Sequence, residues 1–123
     1  METMLYTGAG LIMLWGVAHL IPTKAIVAGF GEISRDNRLI ITMESVAEGM
    51  TLVFLGLLVV LVTALTGSRE GASLIVYVAC AVMLLLMALL TLLTGARTAL
   101  LPYKLCPVVK TISAVLILLG AVV

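Results

Sequence analysis

The stretch that decides the fold is residues 39–65, which read LIITMESVAEGMTLVFLGLLVVLVTAL. As a helix rising 1.5 Å per residue it would extend about 40 Å, more than the ~30 Å hydrocarbon core of a bilayer. It nevertheless carries two carboxylates, Glu44 and Glu48, one helical turn apart. The stretch therefore predicts a tilted or protruding membrane span with an acidic face.

Composition supports lipid as the solvent of the whole chain. The 123 residues are 63% hydrophobic and 11% charged, with a mean hydropathy of +1.34. Soluble domains are about half apolar and about a quarter charged. The net charge of +1 gives no reason to expect nucleic acid as a partner. Two cysteines without CxxC spacing and a single histidine predict neither a metal site nor a cofactor.

The hydrophobic pattern predicts a single transmembrane domain, residues 1–123, built as an all-α four-helix bundle. The expected topology is up-down-up-down, with spans at about residues 4–21, 39–65, 72–94 and 105–123. The N-terminal stretch lacks a basic n-region and is expected to be kept as the first span. Asp36 or Asn37 is predicted to cap the second span, and Pro107 to lie in the first turn of the fourth.

The distribution of positive charge predicts the orientation. Two connecting segments, 22–38 and 95–110, hold six basic residues, and the opposite side holds Arg69 alone. The six are Lys24, Arg35, Arg38, Arg97, Lys104 and Lys110. Because basic loops stay in the cytoplasm, both termini are expected to be extracellular or periplasmic, in the cytoplasmic (inner) cell membrane, with membrane lipids as partners.

Ionisable residues from three predicted helices should meet in the cytoplasmic half of the bundle. A carboxylate at the bilayer centre costs about 2.5–3.5 kcal/mol on insertion scales, so the acidic face should point inward. Two carboxylates one turn apart should not both ionise easily in a low dielectric, which suggests proton chemistry. The predicted ligand- or proton-binding residues are Glu44, Glu48, His19, Lys110, Thr51 and Trp15.

Small residues predict close helix contacts. Gly8, Gly10 and Gly16 lie in the first span, and Ser45 and Gly49 form a small-xxx-small pair in the second. Such positions also suit the interface of a homodimer, which is expected because four spans are few for a monomeric carrier.

Three functions fit these residues. The favoured hypothesis is a protein that binds or transports a proton, a cation or a small lipophilic ligand at the carboxylates. One alternative is an accessory or structural subunit, in which Glu44 and Glu48 contact Lys110 or His19 only to set helix register, or Lys110 snorkels to the headgroups. The other is a membrane-embedded enzyme acting on a lipid or isoprenoid, with Glu48 as general acid/base.

Two short motifs suggest a family. The first helix is rich in glycine and ends in His19-Leu20-Ile21-Pro22, and the second begins with the acidic pair Glu44 and Glu48. In these features the chain resembles the DoxX-like group of small four-helix bacterial membrane proteins. The resemblance implies a four-helix fold and a membrane location, and it implies no mechanism.

Overall fold

The computed structural model describes residues 2–123 and contains no strand among them. The helices are α1 (Glu2–Leu20), α2 (Thr23–Ala28), α3 (Arg35–Leu65), α4 (Gly71–Leu93) and α5 (Leu101–Val122), with a 3₁₀ turn at Gly95–Arg97 before α5. Helices α1, α3, α4 (continued to Arg97) and α5 are each long and apolar enough to cross a membrane. The predicted all-α four-helix membrane bundle is confirmed.

Two helices begin four residues earlier than predicted. Helix α3 starts at Arg35 because the Ser34 hydroxyl accepts a hydrogen bond from the backbone N–H of Asn37, at 3.1 Å. The predicted cap at Asp36 or Asn37 is therefore wrong, since both residues lie in the first turn.

Helix α5 starts at Leu101, and it is Pro102 that occupies its first turn. The prediction that Pro107 lies in the first turn is wrong, because Pro107 lies inside the helix and is buried. Without an N–H, Pro107 cannot donate to the carbonyl of Tyr103 one turn earlier.

The helices form a ring in which neighbours run antiparallel. Helix α1 packs closely against α3 and α5, and α4 packs closely against α5. The fourth contact, between α3 and α4, is much less extensive although the two helices are consecutive in the chain. This loose contact leaves a cleft between α3 and α4.

Glycines allow α1 to approach its neighbours closely. A Cβ built on Gly16 would lie 2.9 Å from the carbonyl oxygen of Gly49, and one on Gly56 would lie 2.7 Å from that of Ala9. Gly8 makes the corresponding approach to α5, 3.0 Å from the Ser113 carbonyl. Gly10, by contrast, has no neighbour within 4 Å. Of the predicted glycines, Gly8, Gly16 and Gly49 therefore lie in close contacts within the chain and Gly10 does not, while Gly56 is a contact that was not predicted.

The end of the bundle near the α3–α4 turn is held by a buried pair of hydroxyls. The Thr63 hydroxyl bonds to the Val59 carbonyl at 2.7 Å, so the Tyr77 hydroxyl donates to the Thr63 oxygen, also at 2.7 Å. Tyr77 is fully buried. This bond joins α3 to α4 across the loosest contact of the ring.

Replacing Tyr77 with Phe is expected to remove this bond while keeping the ring that fills the core. Hydrogen bonds between transmembrane helices contribute about 0.6 kcal/mol on average. We therefore expect Tyr77→Phe to lower the free energy of unfolding by about 0.6 kcal/mol, measured by SDS titration in mixed micelles. A loss above about 2 kcal/mol would contradict this account, because Thr63 keeps its bond to Val59.

Candidate functional site

A buried lysine is the centre of the polar cluster. Lys110 of α5 has no exposed surface, and its ammonium donates to the Oε1 atom of Glu48 on α3. It also donates to the Thr91 hydroxyl of α4 at 2.9 Å, and that hydroxyl donates to the Met87 carbonyl at 2.9 Å. Lys110 therefore does not snorkel: it links three helices inside the bundle.

Helix α1 contributes His19 to the same cluster. Its Nε2 atom lies 3.4 Å from the Oε2 atom of Glu48. That distance fits an ion pair with a protonated imidazole, but Nε2 is buried without a hydrogen bond of good geometry. The ring of His19 also meets Tyr103 edge-on, with centroids 6.1 Å apart and planes at 86°. Glu48 thus lies between a cation from α5 and an imidazole from α1.

The two carboxylates have different environments. The Glu48 side chain is 27% exposed and paired, whereas Glu44 is exposed and has no ion pair within residues 2–123. Residues four apart differ by about 40° around a helix, and α3 packs loosely against α4. Glu44 therefore lies on the open side. The prediction of one inward-facing acidic surface is correct for Glu48 and wrong for Glu44.

Both carboxylates line the α3–α4 cleft, whose volume is about 550 Å³. Thr51 lies on the same wall, and its hydroxyl donates to the Ala47 carbonyl at 2.7 Å. Met83 and Met87 contribute to the opposite wall, from α4. His19 and Tyr103 complete the cleft, so four of the predicted site residues, Glu44, Glu48, Thr51 and His19, share it.

Trp15 lies apart from this cleft. Its indole N–H donates to the Cys106 sulfur of α5 at 3.3 Å. It contributes instead to a second cavity, of about 310 Å³, which also has His19 in its wall. Lys110 is buried behind Glu48 and lines neither cavity. The six predicted residues therefore divide between a cleft, a second cavity and a buried ion pair.

Sequence reasoning missed Thr91 and Tyr103. Thr91 interrupts the run of leucines that ends α4, a signal that a polar partner lies nearby. Tyr103 lies outside the predicted fourth span of residues 105–123, because α5 begins four residues earlier than predicted. A smaller polar contact also went unnoticed: the hydroxyls of Thr23 and Ser45 lie 3.3 Å apart and join α2 to α3.

Metal binding finds no support in the part of the chain that the structure describes. No group of three His, Cys, Asp or Glu side chains is placed to hold an ion. At the cluster itself, the Lys110 ammonium occupies one oxygen of Glu48, where it would repel a metal cation.

Comparisons with known proteins find no match among protein-family models, curated proteins or solved structures.

Proposed function

We propose that this multi-pass membrane protein binds a small lipophilic cation in the cleft between α3 and α4. As a carrier, it would transport that cation across the membrane. The observation that carries the proposal is the placement of two carboxylates on one wall of a 550 Å³ cleft, opposite a wall of α4 where Met83, Met87 and Leu90 lie beside two threonines. Ligand pockets commonly have volumes of about 300–1,000 Å³, with few polar groups.

The charge of the cleft favours a cation. Lys110 neutralises Glu48, which leaves Glu44 as a carboxylate without an ion pair among residues 2–123. A cation near Glu44 would be attracted by the unpaired carboxylate. It could also approach Glu48 at its Oε2 atom, because that atom faces His19 rather than Lys110. A proton is the smallest positively charged ligand that these carboxylates could bind.

The wall opposite the carboxylates favours an organic cation over a hydrated metal ion. Met83, Met87 and Leu90 present apolar side chains from α4. Methionine is flexible and polarisable, so it adapts to irregular apolar groups. An amine or phosphonium with hydrocarbon substituents would therefore place its charge at α3 and its apolar part against α4.

The binding test uses tetraphenylphosphonium, whose charge does not depend on pH, titrated calorimetrically into protein in lipid nanodiscs. Glu44→Gln removes the unpaired charge without breaking an ion pair. We expect this variant to bind the cation about fivefold more weakly, since about 1 kcal/mol is a typical attraction for charges at a water-exposed site.

Glu32→Gln is the matched control, because Glu32 is exposed in the loop before α3, at the same end of the bundle. It should bind the probe as the wild type does. Equal affinities for wild type and Glu44→Gln would contradict the proposal. If the protein couples transport to proton movement, Glu48 is the expected proton carrier. A proton-coupled activity that persists unchanged in Glu48→Gln would exclude this role.

A second candidate is an accessory subunit in which the polar cluster only sets helix register. It is favoured by one specific observation: Lys110, Glu48 and Thr91 join α3, α4 and α5 at one point. If tetraphenylphosphonium binds neither protein nor variants above empty nanodiscs, this candidate is preferred.

The family of the chain, the membrane in which it lies and its oligomeric state are also proposals. We propose membership of the DoxX-like group, with support from the four-helix architecture. The inner membrane, with both termini outside, is supported by the basic residues around the α1–α3 and α4–α5 connections. We also propose a homodimer, because four spans are few for a monomeric carrier.

A further inference from the structure

The second cavity lies where α1 ends, α2 follows and α5 begins. Its volume is about 310 Å³. Trp15, His19 and Tyr103 provide aromatic walls, and prolines and aliphatic side chains provide the remainder. His19 and Tyr103 also line the α3–α4 cleft, so this pair separates the two cavities.

Several contacts hold the walls of this cavity in place. The Trp15 indole is oriented by its hydrogen bond to Cys106, and His19 by its edge-on contact with Tyr103. Pro22 precedes α2 and Pro102 lies in the first turn of α5, where each ring fixes its own backbone φ angle. A ligand would therefore meet a preformed site and would lose little free energy in ordering it.

The lining of this cavity contains no Asp, Glu, Lys or Arg. Its three residues with polar side-chain atoms are engaged elsewhere: the Trp15 N–H is bonded to Cys106, and the His19 Nε2 and the Tyr103 hydroxyl are directed at Glu48 and Ser45 of α3. A charged ligand would lose its hydration without gaining an opposite charge. The lining therefore selects a neutral ligand, unlike the acidic cleft on the other side of His19.

Volume sets the size of the occupant. An apolar cavity of about 150 Å³ is large enough to bind benzene, and this one is about twice as large. We propose that it binds a neutral, planar and largely apolar molecule of about two fused aromatic rings. The rings would pack against Trp15 and Tyr103, in offset or edge-on geometry. This site does not depend on cation binding in the cleft.

The test uses 6-bromo-2-naphthol and the fluorescence of Trp15, the only tryptophan of the chain. Bromine quenches an indole that it contacts, so binding in the cavity should give saturable quenching for the full chain in nanodiscs. Ala18→Phe would fill the cavity, because Ala18 lines it. We expect the dissociation constant to rise at least about tenfold in this variant.

Val17→Phe is the matched control, since it adds the same ring one residue away on an outward-facing position. Saturable quenching in wild type and Val17→Phe, lost in Ala18→Phe, supports the site. Linear, unsaturable quenching of the wild type would overturn it, whether or not Ala18→Phe folds. A phospholipid with brominated acyl chains is the competing probe. If it quenches Trp15 saturably and prevents quenching by the naphthol, the proposal is overturned, because the occupant of the cavity would then be a lipid chain.

Discussion

Glu48→Gln is expected to lower the free energy of unfolding by about 3–5 kcal/mol, the cost of breaking a buried ion pair from one side. The variant leaves the Lys110 ammonium with no exposed surface and without a counter-charge, facing only neutral acceptors such as the Thr91 hydroxyl. SDS titration in mixed micelles, followed by circular dichroism, measures the effect. Glu44→Gln is the comparison within α3, and it should change stability by less than about 0.5 kcal/mol because Glu44 is exposed and unpaired.

The double variant Glu48→Gln/Lys110→Met separates the pair from either residue alone. Replacing both charges removes the uncompensated ammonium, and Thr91 keeps its bond to the Met87 carbonyl. We expect the double variant to lie within about 1 kcal/mol of the wild type, because buried pairs replaced as a unit are often nearly neutral. The losses in Glu48→Gln and Lys110→Met are measured separately for comparison. If the loss in the double variant equals their sum, Glu48 and Lys110 do not stabilise each other.

Gly56→Ala is expected to cost about 1–3 kcal/mol, the usual range for overpacking a tight contact. The added methyl group would lie 2.7 Å from the Ala9 carbonyl oxygen, which belongs to the backbone and cannot rotate away. Helices α1 and α3 would have to separate. The same titration measures the loss, and a fall in helix–helix energy transfer between labels on α1 and α3 would report the separation.

Gly10→Ala provides the control for this contact. It makes the same chemical change in α1, at a position with nothing within 4 Å. Alanine favours helix over glycine by about 1 kcal/mol, so Gly10→Ala should be neutral or stabilising. Equal destabilisation by Gly56→Ala and Gly10→Ala would mean that close helix approach is not what Gly56 provides.

Part of the candidate site could be predicted because charged side chains are rare in apolar spans. Glu48, His19 and Lys110 stood out for this reason, and the bundle brings them together. Glu44 stood out equally but lies in the open cleft, because the chain alone does not reveal that α3 and α4 pack loosely. Thr91 drew no attention, since a threonine bonded to its own helix is common in apolar spans.

The sequence by itself determined that this is an all-α protein with four helices able to cross a membrane, because length and hydropathy are local properties of each segment. It also determined which ionisable groups would need partners in lipid. Only the tertiary structure decided which partner each group received. Lys110 pairs with Glu48 instead of reaching the headgroups, and Glu44 remains in the cleft, because these outcomes depend on how closely and at what rotation the helices pack.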